Sequence, residues 1–159
     1  MIVCARPWPL IAAILLAGCA GLSESGQRPA ADGLMTAPPL AELPTQQLEP
    51  NQCALVLWSR NPTPVRFLVT LDQPAVARVS VKGHVVELAR VGQSGQSIHG
   101  QFPEQHYRGD GISLEVSFGT DDARQLSGGA VVSSVVVEYV DPTGWTSIIP
   151  AVGLIACQT

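Results

Sequence analysis

The segment ISLEVSF at residues 112–118 alternates apolar and polar side chains without a break. Successive side chains of a β-strand point to opposite faces, so this period of two predicts a strand with one buried and one solvated face. Residues 65–71 follow a similar pattern, with apolar side chains at every second position from 65 onward. Both segments are therefore expected to belong to a sheet that buries one of its faces.

The neighbouring segments have the composition of further short strands. Residues 75–81 and 85–91 are joined by Lys82-Gly83, which is typical of a tight hairpin because glycine adopts positive φ easily. The other predicted strands are Cys53–Ser59, 131–140, 145–149 and 152–157, with a turn over 141–144. No window shows helical periodicity. We predict an all-β domain of about eight antiparallel strands forming a small barrel or sandwich. Trp58 and Trp145 are either core residues or surface anchors, and the core is favoured because each lies in a predicted strand.

The start of the chain carries a targeting signal. Residues 16–19 are LAGC and close a short apolar run, Leu10 to Ala17, that follows the single cation Arg6. The run is far shorter than the roughly 20 residues that cross a bilayer. This arrangement resembles the lipobox of bacterial lipoproteins. It implies a signal peptide over 1–18, fatty acyl chains such as palmitate on Cys19, and, because Ala20 is not aspartate, an outer-membrane location facing the periplasm.

Residues 19–50 are predicted to be a lipidated, Pro-rich tether. They contain five prolines and no aromatic residue. Such a segment buries too little apolar surface to offset its chain entropy, so we expect it to be disordered. The remaining residues, 51–159, form one predicted domain.

Two cysteines remain for that domain. Cys4 lies in the predicted signal peptide and Cys19 is predicted to be acylated, which leaves Cys53 and Cys157. Thiols are oxidised in exported proteins, so we expect a disulfide that joins the first strand to the last. Closing a loop of about 100 residues restricts the unfolded chain by an estimated 4–5 kcal/mol.

The candidate functional segment is 92–111, which reads GQSGQSIHGQFPEQHYRGDG and contains five glycines. It is predicted to be an irregular loop, and loops on a rigid scaffold commonly carry function. The candidate binding residues are Ser94, His99, His106, Tyr107, Arg108 and Asp110.

The loop contains residues for two catalytic arrangements. His99, His106 and Asp110 could converge on a divalent cation in a metal-assisted hydrolase, or Ser94 could be a nucleophile with His99 as its base. Neither spacing matches a motif whose geometry brings the residues together. We therefore predict no catalytic residue, no metal site, no cofactor and no enzymatic activity.

The same segment carries a family resemblance. The residues that carry it are, in order, Gly83, Leu88, Val91, Ser94-Gly95, Tyr107, Arg108-Gly109 and Leu114. They resemble the membrane-bound lipoprotein inhibitors of c-type lysozyme, which are small β-barrels behind a lipobox. In that family a loop serine and a lysine contact the catalytic carboxylates of lysozyme. The resemblance implies these roles for Ser94 and Arg108, although arginine here replaces the lysine, and Ile98 replaces an aromatic residue.

Charge limits the choice of partners. Seven basic and nine acidic residues leave residues 51–159 with a net charge of −2, and no basic stripe is present, which argues against nucleic acid. The expected partners are the lipid bilayer, through acylated Cys19, and an envelope protein, a cell-wall component or lysozyme. The leading interpretation is a non-catalytic binding or structural module, with a lysozyme inhibitor as the alternative and a hydrolase third.

Overall fold

The computed structural model describes residues 40–60, 63–119 and 123–158, which form β-strands and no helix. The strands are β1 (Leu40–Ala41), β2 (Cys53–Ser59), β3 (Arg66–Leu71), β4 (Val76–Val81), β5 (His84–Ser94), β6 (Glu104–Gly109), β7 (Ile112–Phe118), β8 (Ala123–Leu126), β9 (Gly129–Val140) and β10 (Thr146–Cys157). The predicted all-β fold is confirmed.

Eight of these strands close into an antiparallel barrel. Their order is β2, β3, β4, β5, β6, β7, β9 and β10, and β10 pairs with β2 again. The two extra strands extend it: β1 pairs with the residues of β4 that are not paired with β3, and β8 pairs with the part of β9 that β7 does not reach. Of the two architectures left open by the sequence, the barrel is correct.

Inward-facing side chains fill the barrel with a continuous apolar core. Leu55, Leu57, Leu114 and Val116 have no solvent exposure, as the alternating patterns predict. Gly129 allows β9 and β10 to approach closely, because a Cβ at this position would overlap the carbonyl oxygen of Ile155.

The predicted disulfide joins Cys53 to Cys157. The two residues are directly paired across β2 and β10, with 4.1 Å between their Cα atoms. It therefore connects the first strand of the barrel to the last, as expected.

Residues 40–50 form a strap on the outside of the barrel, so the prediction of a disordered tether is wrong for them. Leu43 is fully buried in an outer cluster with Val69, Leu71 and Val76. The strap is held because Leu43 covers apolar outward side chains of β3 and β4, while Leu40 packs with the core inside the barrel, despite the prolines nearby. Residues 1–39, which include the predicted signal peptide and Cys19, lie outside the described residues.

The turns define two ends of the barrel. The β4–β5, β6–β7 and β9–β10 turns lie at one end, which we call the Trp145 end. The disulfide, the β5–β6 loop and the β8–β9 turn lie at the other, the disulfide end. Because Leu40 pairs with Val81, the strap starts at the Trp145 end and runs towards the disulfide end, where the amide of Asn51 donates to the Gln158 carbonyl.

Strand β10 is continuous through Pro150, where the sequence predicted two strands. The carbonyl of Pro150 accepts a hydrogen bond from the amide of Arg60. In an antiparallel ladder the amide and carbonyl of one residue point to the same side, so the missing N–H of Pro150 faces β2 just beyond its last residue, Ser59. No hydrogen bond within the β9–β10 ladder is therefore lost.

Candidate binding site

The prediction of an irregular loop over 92–111 is correct for 95–103 and the turn at 110–111, but it is wrong for the other nine residues, which lie in strands β5 and β6. Ser94 is the last residue of β5, and His106, Tyr107 and Arg108 lie in β6. Asp110 lies in the β6–β7 turn, and His99 lies in the β5–β6 loop. The six candidate residues are therefore distributed over a two-stranded ribbon that runs the length of the barrel.

Tyr107 points into the barrel, which corrects its assignment to a binding surface. Its side chain has no solvent exposure, and its hydroxyl donates to Oε1 of Gln105 at 2.5 Å. Burial raises the pKa of the Tyr107 phenol above its usual value. Arg90 approaches the same Gln105 oxygen at 3.3 Å and lies 5.4 Å from the ring centre of Phe102. The inward side of β6 is thus structural.

The outward side of β6 forms a charged surface with its neighbours. Glu104, His106 and Arg108 alternate with the buried residues of the strand. Ser94 lies opposite Glu104, and its hydroxyl donates a hydrogen bond to the Glu104 carboxylate. The side chains that complete this surface, which we call the polar face, are Ser94, Glu104, His106, Arg108, Glu115 and Glu138.

One row of the polar face crosses three strands. His106 of β6 is paired with Glu115 of β7, which is paired with Glu138 of β9. Nδ1 of His106 lies 3.5 Å from a carboxylate oxygen of Glu115. The two glutamates are directly opposite each other, an arrangement of like charges that destabilises a sheet.

A shallow concavity of about 410 Å³ opens over this row. Gly92 lies opposite His106 on β5, and a Cβ at Gly92 would come within 3.2 Å of Cδ2 of the imidazole. The missing side chain therefore makes room for His106. The concavity is bounded further by Arg108 and Ser113, so both signs of charge are available to a ligand.

The β5–β6 loop is fixed in place. Ile98 and Gln101 pair around His99-Gly100, whose φ values of 49° and 74° are those of a type I′ turn. The buried Gln101 accepts a hydrogen bond from the Thr70 hydroxyl at 2.6 Å. A Cβ on Gly100 would lie 2.8 Å from that of Asp72. The loop therefore presents His99 on a rigid turn beside a groove of about 740 Å³ that Phe118 also lines.

The residues considered for catalysis are not brought together. His99 lies at the tip of the loop, His106 lies on the wall of the barrel, and Asp110 lies in a turn at the Trp145 end. Ser94 has Glu104 and not His99 as its hydrogen-bond partner. Within 40–60, 63–119 and 123–158, no three histidine, cysteine, aspartate or glutamate side chains are placed to hold a metal ion.

A second surface was not predicted from the sequence. Ile148 and Trp145 are 58% and 68% exposed, and Val136 and Pro150, which are paired across β9 and β10, are also exposed. We call these four residues the apolar face. In the sequence this face is indicated by the alternation along β10, which places Ile148 and Pro150 on the outward side.

The core position favoured for Trp145 is wrong and the alternative, a surface position, is correct; Trp58 is half-buried and belongs to neither core cluster. Trp145 lies in the β9–β10 turn rather than in the strand. The Asp141 carboxylate orders this turn by accepting hydrogen bonds from the Thr143 hydroxyl at 2.6 Å and the Trp145 amide at 3.0 Å. The Thr143 hydroxyl, followed by backbone amides, lowers the pKa of Asp141. The turn is therefore well defined and its indole stands in solvent.

Comparison with known proteins identified no matching family model, no matching curated protein and no matching solved structure. Among the described residues there is also no helix of the length and hydrophobicity needed to cross a membrane.

Proposed function

We propose that this protein is a bacterial envelope lipoprotein whose barrel is a non-catalytic binding module that recognises a partner through the polar face. The observation that carries the proposal is the pairing of Glu115 with Glu138 on the outer wall of the barrel. Like charges directly opposite each other disfavour the folded sheet, so this pairing does not stabilise the barrel. A cationic group bound between the two carboxylates would relieve the repulsion.

Several features of the polar face support binding rather than a purely solvated surface. It has three carboxylates and one guanidinium, which suits a partner with a basic surface. Its side chains project from paired strands and not from a mobile loop, and a preorganised surface loses little conformational entropy on binding.

The membrane anchor is supported by sequence. The LAGC motif lies at residues 16–19, and the first described strand begins at Leu40. Residues 20–39 could span at most about 70 Å when fully extended. The barrel would accordingly stay close to the membrane that holds Cys19.

Two measurements test the proposal. Mass spectrometry of the mature protein should find acyl chains on Cys19 in the wild type and none in Cys19→Ser. A pull-down from envelope extract, with the acylated protein as bait, should then recover a partner that Glu115→Gln/Glu138→Gln fails to recover. An exposed substitution at the Trp145 end, Lys82→Gln, is the matched control. Equal recovery by all three baits would reject the polar face as the binding surface.

Inhibition of c-type lysozyme is the second candidate. Ser94 and Arg108, the residues that the resemblance implies, both project from the outward side of the β5–β6 ribbon. The partner of Ser94 on β6 is Glu104, four residues from Arg108, which corresponds to about 13 Å along the strand. A single partner could therefore contact both side chains.

Inhibition can be measured with the unlipidated protein. The Cys19→Ser form should slow cell-wall hydrolysis by a c-type lysozyme, and Arg108→Ala should weaken the effect while Lys82→Ala leaves it unchanged. Absence of inhibition at micromolar protein would eliminate this candidate without affecting the broader proposal.

A further inference from the structure

The apolar face lacks cover in the described part of the chain. Ile148 and Pro150 follow each other on the outward side of β10, Val136 lies beside Pro150 on β9, and Trp145 is exposed in the turn just before the strand. Exposed apolar residues that are contiguous commonly mark a contact surface. Trp145 is the most exposed of the large hydrophobic residues in the described part of the chain, at 68%.

The position of the strap shows from which end the rest of the chain arrives. Leu40 pairs with Val81, next to the β4–β5 turn. This turn and the β9–β10 turn that carries Trp145 lie at the same end of the barrel. The segment that leads back to Cys19 therefore reaches the barrel at the Trp145 end.

We propose that the apolar face docks on the surface of the phospholipid bilayer, with Trp145 inserted at the level of the lipid headgroups. This inference rests on the lipid anchor proposed above. Tryptophan favours this interface because its ring is apolar while its N–H retains a polar partner. Ile148, Val136 and Pro150 would rest against the boundary between headgroups and acyl chains.

The length of the tether favours this orientation. If the tether is the coil that its sequence predicts, residues 20–39 would span about 25 Å. Strand β10 has 12 residues and is about 40 Å long before tilt is considered. To place the disulfide end on the bilayer, the tether would have to run back along the barrel, whereas the Trp145 end lies where the tether begins. Tethering also raises the effective concentration of lipid to the millimolar range or above, so a weak apolar contact is sufficient.

Docking in this way leaves the β6 side of the polar face accessible. Strand β10 is separated from β6 by β9 and β7, so the outward side chains of β6 point away from the apolar face around the barrel. Glu138 is paired with Ile148 and lies at the border between the two faces, whereas a bilayer against β10 would leave Glu104, His106 and Arg108 in water, where a partner could reach them.

Tryptophan fluorescence in vesicles tests the proposal. The acylated mature protein carrying Trp58→Phe has Trp145 as its only tryptophan, since Trp8 lies in the predicted signal peptide. In vesicles of brominated phosphatidylcholine its emission should fall by about twofold relative to ordinary phosphatidylcholine, because bromine quenches an indole only at short range. The difference in quenching between the wild type and Trp145→Phe gives the same information without altering Trp58.

A tryptophan at the disulfide end provides the matched control. Leu126 is also an exposed apolar residue, but it lies beside the β8–β9 turn. In the Trp58→Phe/Trp145→Phe background, Leu126→Trp should show almost no quenching by the brominated lipid. Equal quenching at positions 126 and 145, or none at position 145, would overturn the docking proposal.

Other outcomes separate this inference from the anchor itself. If the protein floats with vesicles and Cys19 carries acyl chains while Trp145 remains unquenched, the anchor stands and the docking surface is rejected. If Cys19 is not acylated, both proposals fail. If the Cys19→Ser protein dimerises in sedimentation experiments, and Trp145→Ser abolishes the dimer, a second copy of the chain occupies the apolar face and the lipid proposal is rejected.

Discussion

Two walls of this barrel present apolar side chains outward, and they differ in what covers them. On β3 and β4, Val69, Leu71 and Val76 are buried beneath the strap, residues 40–50. On β10, Ile148 and Pro150 are exposed. The outward residues of both walls are similar in type, so hydrophobicity alone does not determine their burial. The difference arises because the chain passes over one wall, and no described segment passes over the other.

The strap is also bound by polar contacts. The amide of Leu43 donates to the Arg66 carbonyl at 2.7 Å, and the Arg66 guanidinium donates to the Leu43 carbonyl at 2.8 Å. These bonds satisfy backbone groups beside the buried Leu43 side chain. The covered wall is thus part of the fold, whereas the bare wall is available for contact with something else.

The largest expected effect concerns the seam between the two walls, where β2 meets β10. Replacing both Cys53 and Cys157 by serine removes a link across a sequence separation of 104 residues. The free energy of unfolding should fall by about 4–5 kcal/mol, chiefly because the unfolded chain regains entropy. Urea denaturation of the unlipidated protein measures this. A loss below about 1 kcal/mol would show that the sheet pairing alone holds the seam.

Truncating one side chain on each wall tests whether the covered wall contributes more to stability than the bare wall. Leu43→Ala should lower the free energy of unfolding by about 2–4 kcal/mol, because Leu43 is fully buried under the strap. Ile148→Ala should change it by less than about 0.5 kcal/mol, because Ile148 is 58% exposed. Similar losses for the two variants in urea titrations would contradict the distinction between a covered and a bare wall.

The core behind the polar face offers a third test. Tyr107→Phe removes a buried hydroxyl and should cost about 1–2 kcal/mol at neutral pH. Since burial raises the pKa of Tyr107, the unfolded chain loses this proton first as the pH rises. The folded state is therefore destabilised above about pH 10, by up to about 1.4 kcal/mol per pH unit for one group.

The variant should show a shallower loss of stability than the wild type between about pH 10 and 11. Urea midpoints measured across this range check the prediction. Tyr139, whose pKa is also raised by burial, remains in both proteins and supplies the residual slope. Identical slopes would indicate that Tyr107 does not titrate differently in the folded and unfolded states.

The smallest expected effect concerns the two opposed glutamates of the polar face. Glu138→Gln removes one of two opposed carboxylates and should raise the free energy of unfolding by about 0.2–1 kcal/mol. Glu87→Gln is a useful control, because Glu87 forms an ion pair with Arg78 at 3.0 Å and its loss should be neutral or slightly destabilising. A destabilised Glu138→Gln variant would contradict the proposed repulsion.

Local patterns of sequence were sufficient where each strand buries one face. The alternation at 112–118 predicted β7, Lys82-Gly83 predicted a hairpin turn, and elimination among four cysteines predicted the disulfide, all of which the structure contains. Strand β6 was missed because Gln105, a polar residue, occupies an inward position and interrupts the alternation. It is buried because its oxygen accepts from Tyr107 and Arg90, a compensation that depends on residues from two strands.

The position of the candidate site was harder to predict than the fold. Composition drew attention to Ser94, His106 and Arg108, but their common orientation depends on the register of β5 against β6, which includes an irregularity between Arg90 and Gly92. Burial of Leu43 depends on a wall formed by strands further along the chain. Neither of these long-range relationships is encoded in local periodicity.

The covalent link between Cys53 and Cys157 also alters what a protease can achieve. These cysteines lie near the two ends of the barrel sequence, so the chain between them forms a loop closed by the disulfide. A single cut at an exposed turn such as Lys82-Gly83 would open this loop without releasing a fragment. The nicked barrel would migrate as one species in a non-reducing gel and as two after reduction. The disulfide thus holds together two fragments that a single cut would separate in an open chain.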